Sequence, residues 1–369
     1  AWRPDGALAE VSPQARARRQ AFNDDILARL AQIDESTLTG QDRISYKIFR
    51  YEREAERDSY RYPDHLFPFT SITGYHSYFA QAPARMAFDK LADYQRYLVS
   101  LADFPRYNRE HIALLQEAVS RGYTHYCESL AGYGTTISEH IVERPEDSSL
   151  YAPFTRFPDT LAPAQQADLR QRGRDLVAKS VIPAYRELHA FFSETYLPAC
   201  RDEPGISSLE GGADYYAYLL RFFTTTDMTP LEIHQLGLDE TRRIRTEMDA
   251  IIHQLGFAGS FRQFLDYLRE DPRFYAADPT DLLEKTALIA RRMDGLMPRY
   301  FGRLARNTYA LQPTEGRGAY YVPGTADGRS PGIYYINVSD PAAQPLYNLT
   351  ALTPVSYTHL TLPTTGHVC

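Results

Sequence analysis

The sequence is poor in cysteine, tryptophan and positive charge, and it has no long apolar run. Its 369 residues include one tryptophan and three cysteines, Cys127, Cys200 and Cys369, which are too few for a disulfide framework and lack metal-site spacing. We therefore expect buried free thiols. No apolar run is long enough to span a bilayer, and a formal net charge of -7 gives no basic footprint for nucleic acid. These absences argue against a membrane span and against a nucleic-acid partner.

The N-terminus also lacks two features, an initiator Met and the apolar core of a signal peptide. The sequence therefore does not encode the compartment. An extracytoplasmic location, periplasmic or as a lipoprotein, and a cytoplasmic location both stay open.

Helical signals dominate what is present. Thr229-Pro-Leu-Glu232 has a capping hydroxyl, Pro at the first helical position and Glu at the third, which predicts a helix start. Ser260 and Asp278-Pro279 predict two further starts. After Thr229, apolar residues recur on one helical face that we expect to pack into the core. They are Ile233, Leu236, Ile244, Met248, Ile251 and Ile252.

Other segments have the same spacing. Residues 169–192 keep a helical period through Pro183, which should kink or divide the segment. The segments 105–119 and 25–38 are similar. Because no repeat and no low-complexity linker divides the chain, the sequence predicts one mostly α domain.

A short β-hairpin is the predicted exception, near residues 319–338. Residues 319–322 and 333–338 are rich in β-formers, and the segment between them is dense in turn residues. Since strand side chains alternate, Ile333, Tyr335 and Asn337 should share one face, and Tyr334, Ile336 and Val338 the other. One face should pack, and the other could meet a ligand.

Several segments of the sequence form a specific pattern through their order and spacing. They are Tyr196–Arg201, Gly211–Tyr216, Thr224–Thr226, Glu232–Glu240, Asp271–Tyr275, the tyrosine-rich hairpin and Tyr347–Thr353. This pattern resembles the bacterial proteins grouped as domain of unknown function 885 (DUF885), and the resemblance covers most of residues 20–353.

The resemblance implies a zinc-dependent peptidase of the gluzincin type, with a helical, oligopeptidase-like architecture and a peptide substrate. It further implies that an edge strand before the metal-binding helix pairs with the substrate, which places substrate contacts in residues 333–338. Tyr335 and Asn337 are the first candidates, and Tyr334, Tyr320 and His234 are weaker ones. A purely structural hairpin, and a structural His234 packed beside Ile233 and Leu236, are the alternatives.

The sequence departs from the family pattern after Thr353. Such proteins continue with a His-Glu-Ala-x-Pro-Gly-His-His helix, whose imidazoles hold zinc beside a catalytic Glu. This chain instead has Pro354-Val-Ser-Tyr-Thr-His359. We therefore expect no catalytic and no metal-ligating residue in this chain, with zinc required only in the intact protein.

Two organisations explain this departure. Residues 1–353 would be the N-terminal portion of the family domain, an incomplete fold, and 354–369 a non-native or disordered tail; a natural divergent tail is the alternative.

Two functions follow: an inactive truncated member of a zinc peptidase family, or a non-enzymatic helical protein that binds a peptide or another ligand. A metal-independent hydrolase ranks last, because no Gly-x-Ser-x-Gly elbow is present.

Overall fold

A computed structural model of the chain describes residues 3–302, 309–314, 318–324 and 331–361. These residues are mostly helical, as predicted, with one small sheet. The helices are α1 Pro13–Leu30, α2 Gly40–Ser59, α3 Tyr75–Ala80, α4 Leu91–Ser120, α5 Thr135–Ser138, α6 Pro163–Leu176, α7 Ile182–Phe191, α8 Gly212–Thr224, α9 Pro230–Gln254, α10 Phe261–Glu270, α11 Pro279–Tyr300 and α12 Leu346–Thr361. The strands are β1 Tyr309–Thr314, β2 Tyr320–Val322 and β3 Gly332–Asn337.

The chain divides into two compact units, Ala1–His234 and Gln235–Cys369. The division falls within α9, which runs from Pro230 to Gln254. Boundaries between units are usually signalled by flexible, polar linkers, and a continuous helix carries no such signal. This is why the sequence shows no boundary at this position.

Buried aromatic side chains form the core of the N-terminal unit. Tyr94, Tyr97, Tyr185 and Tyr196 are almost fully buried there. The Tyr97 hydroxyl donates to the Leu150 carbonyl oxygen (2.7 Å), and the Tyr185 hydroxyl donates to that of His76 (2.9 Å). Buried polar groups need such partners. Part of the abundance of tyrosine therefore serves this core, where the Tyr97 and Tyr185 hydroxyls satisfy backbone acceptors.

A disulfide joins Cys127 to Cys200, so the expectation of free thiols is wrong for these two residues. Their segments meet in a parallel bridge between Tyr126 and Arg201, and the Cys127 amide donates to the Arg201 carbonyl oxygen (2.9 Å). The cysteines are 73 positions apart, and no local sequence pattern indicates that they pair. Cys369 lies outside the described residues.

The C-terminal unit contains a three-stranded sheet with strand order β1-β3-β2. The predicted antiparallel pairing of the two tyrosine-rich segments is confirmed, because β2 pairs antiparallel with β3. The third strand, β1, was not predicted; it runs parallel to β3 along its full length. Ile336 of β3 packs with Leu282 of α11 and Leu349 of α12 in the core of this unit.

The apolar face of α9 is exposed, which corrects the prediction that it packs into the core. Ile252 is buried, with 7 % of its surface exposed, but Leu236, Ile244, Met248 and Ile251 are 41–53 % exposed. The capping prediction for this helix holds: the Thr229 amide donates to the Glu232 carboxylate (2.7 Å). The helix forms as predicted, but the described residues supply no element that covers this face.

Helix α12 continues to Thr361, past the predicted break at Thr353. The backbone of residues 354–361 is therefore helical, and the prediction of a non-native or disordered tail stays a prediction. Residues 362–369 lie outside the described residues. The Thr353 side chain is fully buried, so the last residue of the family-like segment belongs to the core.

Candidate functional site

The outward face of the sheet carries most of the predicted site residues. Paired residues on adjacent strands project to the same side of a sheet. The register places Gln312 of β1 and Tyr320 of β2 on either side of Tyr335, and it pairs Val322 with Ile333. We define the open face as Gln312, Tyr320, Val322, Ile333, Tyr335 and Asn337.

Two tyrosines form the centre of the open face. The rings of Tyr320 and Tyr335 stack with centroids 4.8 Å apart and an interplanar angle of 20°. Tyr320 is 42 % exposed and Val322 is 43 % exposed. Both are large apolar surfaces on a short strand, and Gln312 adds an exposed amide beside them. The open face can therefore offer ring surface and one polar side chain to an extended ligand.

Asn337 has part of its hydrogen-bonding capacity committed to the turn after β3. Its Oδ1 accepts hydrogen bonds from the Ser339 amide (2.9 Å) and the Ser339 hydroxyl (2.6 Å). This leaves Nδ2 as the group that could contact a ligand. If Asn337 contacts a ligand, we therefore expect its side chain to act as a hydrogen-bond donor.

Tyr334 lies on the opposite side of β3 from Tyr335, as the predicted alternation requires. Only 1 % of its surface is exposed, and burial raises the pKa of its hydroxyl. The Thr353 hydroxyl is near enough to lower that pKa partly, although neither hydroxyl makes a hydrogen bond of ordinary geometry. Tyr334 therefore belongs to the core and cannot be reached from the open face.

The predicted edge position of residues 333–338 is wrong. β3 is the central strand, with β1 on one side and β2 on the other. The edges of the sheet belong to β1, which contains Pro313, and to β2. Pro lacks an amide donor and is typical of edge strands, so Pro313 was a signal in the sequence that could have located β1. Because β1 was not predicted, Gln312 was not identified as a residue of the open face.

His234 lies on α9 and belongs to the N-terminal unit. Its side chain is exposed and makes no hydrogen bond to the residues that the structure describes. A structural histidine satisfied by the core is therefore not observed. A ligand-binding role for His234 stays a prediction.

Metal binding requires converging donors. Among the described residues, no group of three or more His, Cys, Asp or Glu side chains is placed to hold a metal ion. These residues do not fit the zinc site that the family resemblance implies.

No helix in the described part of the chain is long and apolar enough to cross a membrane.

Comparison with known proteins identifies the family. The profile of the family described as bacterial protein of unknown function (DUF885) matches residues 2–354. The chain belongs to this family. No curated protein matches the chain.

Two solved structures share the fold of this DUF885 chain. One is "the putative lipoprotein from Colwellia psychrerythraea", with a TM-score of 0.81 and 22 % sequence identity over 95 % of this chain and 63 % of that chain. The other is "a putative lipoprotein of unknown function from Shewanella oneidensis", with a TM-score of 0.65 and 16 % identity over 94 % of this chain and 64 % of that chain. The chain therefore spans less than two thirds of the length of either protein.

Proposed function

We propose that this DUF885 chain binds peptides, as the substrate-binding portion of a peptidase-like protein. The observation that supports this most is the stacked Tyr320–Tyr335 pair on the open face, beside exposed Val322. Tyrosine rings supply large apolar contact area with few rotatable bonds, which suits binding of an extended chain.

The outer edge of β2 offers a second type of contact. An extended peptide can add to a sheet edge through backbone hydrogen bonds while its side chains meet the sheet face. We propose that the peptide pairs with Tyr320–Val322, and not with β3, because β3 lies between two strands. Tyr335 would then contact alternate side chains of the peptide.

Catalysis would require residues that the described part of this chain does not supply. These residues contain no set of ligands for the zinc ion that the family resemblance implies. We propose that this chain binds peptides without hydrolysing them, and that a metal site is completed only in a longer protein. The lengths of the two solved structures and the end of the family match at residue 354 support this proposal.

The alternative is a non-enzymatic binding protein with no metal site at any length. The missing ligand set among the described residues is compatible with it. The genomic sequence after Thr353 separates the two: a His-Glu-x-x-His helix supports the peptidase-like protein, and an intact reading frame without one supports the binder.

We also propose an extracytoplasmic location, which the Cys127–Cys200 disulfide supports. Structural disulfides persist in oxidising compartments and are rare in the cytosol. Thiol alkylation of the protein in fractionated cells tests this. Unreactive Cys127 and Cys200 in the periplasmic fraction are expected, and reactive thiols in a cytosolic fraction would contradict the proposal.

Peptide binding is tested with the 369-residue chain and a tryptic digest of casein, from which bound peptides are identified by mass spectrometry. Binding of a selected peptide is then measured by fluorescence anisotropy. We expect the Tyr320→Ala/Tyr335→Ala variant to bind at least about tenfold more weakly, because tyrosines that a bound ligand covers commonly dominate the binding energy. Tyr300→Ala, which removes a 73 % exposed tyrosine outside the open face, is the control and should bind normally. Equal binding by both variants would exclude the open face as the site.

A further inference from the structure

A large cavity in the N-terminal unit is unrelated to the open face of the sheet. It measures about 740 Å³, within the range of small-molecule sites. The lining residues come from α1, the segment after α2, the segment after α4, the residues just before α8, and α8 itself as far as its last turn. Their charge and aromatic character indicate what the cavity could hold.

Four guanidinium groups line the cavity against two carboxylates, in a protein whose formal net charge is -7. They belong to Arg16, Arg61, Arg121 and Arg221, and the carboxylates to Glu210 and Asp214. The cavity is therefore a local positive region on an acidic protein, which favours an anionic ligand.

Two of the arginines form hydrogen bonds or ion pairs. Arg16 donates to the Tyr60 carbonyl oxygen (3.1 Å), and Arg121 pairs with Glu117 (2.8 Å). Arg61 and Arg221 make no side-chain hydrogen bond or ion pair with any residue that the structure describes, although the Arg61 guanidinium lies over the Tyr62 ring, 5.9 Å from its centroid. A guanidinium presents five donors in a planar fork that matches carboxylates bidentately, so these two can bind an anion without breaking a hydrogen bond or ion pair.

Glu210 and Asp214 likewise form no ion pair within the described residues, although four arginines line the same cavity. They therefore remain available to a cationic group. A ligand that carries both charges, with anionic groups in excess, matches this set of side chains better than a simple anion does.

Tyrosines form a rigid wall of the cavity. Tyr62 stacks on Tyr218 with centroids 4.6 Å apart. The Tyr218 hydroxyl donates to the Ala55 carbonyl oxygen (3.0 Å), and the Tyr123 hydroxyl donates to that of Glu210 (2.7 Å). Because these hydroxyls are committed to backbone acceptors, the rings are held in place before a ligand arrives, which lowers the entropy cost of binding.

The start of α8 adds a weaker contribution. Gly211 precedes the helix in the left-handed conformation (φ 65°) and lines the cavity, and no side chain caps the helix. The positive end of the helix dipole therefore lies beside the cavity, where the Asp214 carboxylate in the first turn partly offsets it. By itself this would not define a site.

We propose that this cavity binds an acidic amino acid or a short acidic peptide. Its carboxylates contact Arg61 and Arg221, its ammonium group contacts Glu210 or Asp214, and its chain lies along the tyrosine wall. The site is separate from the peptide-binding face proposed above and does not depend on it.

Isothermal titration calorimetry of the 369-residue chain tests this proposal with three probes: the dipeptide Asp-Glu, the same dipeptide N-acetylated, and inorganic phosphate. Asp-Glu should bind, with affinity falling as salt is raised. Acetylation, which removes the ammonium charge, should weaken binding severalfold, and phosphate should bind weakest. Equal affinity for phosphate and Asp-Glu, or no binding of Asp-Glu, would overturn the proposal.

Variants locate the binding to the cavity. Arg61→Gln/Arg221→Gln should weaken Asp-Glu binding at least about tenfold, since both anion contacts are lost. Both side chains are exposed and form no hydrogen bond or ion pair among the described residues, so the fold should tolerate the change; circular dichroism checks this. Arg186→Gln removes an exposed arginine of α7 outside the cavity and should bind like the wild type. If the arginine pair and this control lose affinity equally, binding is non-specific and the assignment fails.

Discussion

At the scale of single residues, the N-terminal unit contains histidines that are neutral because they are buried. Burial lowers the pKa of His76, His111 and His125 to about 4 each. His125 shows the arrangement: Nε2 lies 2.9 Å from the Phe69 carbonyl oxygen and must donate, while Nδ1 lies 2.7 Å from the Tyr196 hydroxyl and accepts. No local pattern marks these histidines as buried, because their burial depends on contacts between distant segments.

These lowered pKa values predict loss of stability in mild acid. Between pH 6.5 and about 4 the unfolded chain binds protons that the folded chain does not, so the free energy of unfolding falls as pH falls. His111 stacks on Tyr75 with centroids 3.8 Å apart, so Phe can replace its ring. The free energy of unfolding of the His111→Phe variant should therefore fall by about 3 kcal/mol less than that of the wild type when the pH is lowered to 4.

Urea unfolding at a series of pH values measures this difference. His253→Gln, which changes an exposed histidine, should keep the wild-type pH dependence. Parallel pH profiles for His111→Phe and the wild type would show that His111 is not held neutral.

The candidate site was predictable at the residue scale only where it depended on local pattern. Alternation along residues 333–338 correctly separated the buried Tyr334 from the open Tyr335. The cavity arginines could not be found in this way, because Arg61 and Arg221 are 160 positions apart and meet only in the folded unit.

At the scale of elements, helix starts with a local chemical signature were predicted well. The Ser260 amide donates to the Gln263 side chain (2.7 Å), and the Asp281 amide donates to Asp278 (2.9 Å), as expected. Pro183 follows a π-helical turn at Val177–Val181 that divides α6 from α7, which confirms that Pro interrupts this segment.

Other element boundaries were missed because tertiary packing overrides local signals. α4 starts at Leu91, not at Pro105, and continues through Pro105. Tyr97, Leu101 and Phe104, all before that proline, are completely buried. Burial of such side chains stabilises the helix by more than a mid-helix proline costs, about 3 kcal/mol.

The Cys127–Cys200 disulfide joins two elements far apart in sequence, and we expect it to stabilise the N-terminal unit. It closes a loop of 73 positions, for which the loss of chain entropy on cross-linking predicts roughly 4 kcal/mol. Reduction should therefore lower the melting temperature measured by circular dichroism. The Cys127→Ser/Cys200→Ser variant should melt at the lower temperature with or without reductant. A melting temperature that reductant does not change in the wild type would contradict this expectation.

At the scale of the whole molecule, the exposed face of α9 is the feature with the clearest consequence. Ile244, Met248, Ile251 and Leu255 lie about one helical turn apart and are each at least 41 % exposed. Contiguous exposed apolar surface of this kind drives association or aggregation. We therefore expect the 369-residue chain to self-associate, or to be poorly soluble, when expressed alone.

Neighbouring residues on α9 make this expectation testable. Met248→Lys/Ile251→Lys should reduce self-association without unfolding the chain, because both side chains are already partly in water. Ile252→Lys is the matched control: this side chain is 7 % exposed against 53 % for Ile251, so burying a lysine there should destabilise the fold by several kcal/mol. Sedimentation velocity over a range of protein concentrations measures association, and circular dichroism measures folding. A wild-type chain that stays monomeric throughout would show that the α9 face does not drive association.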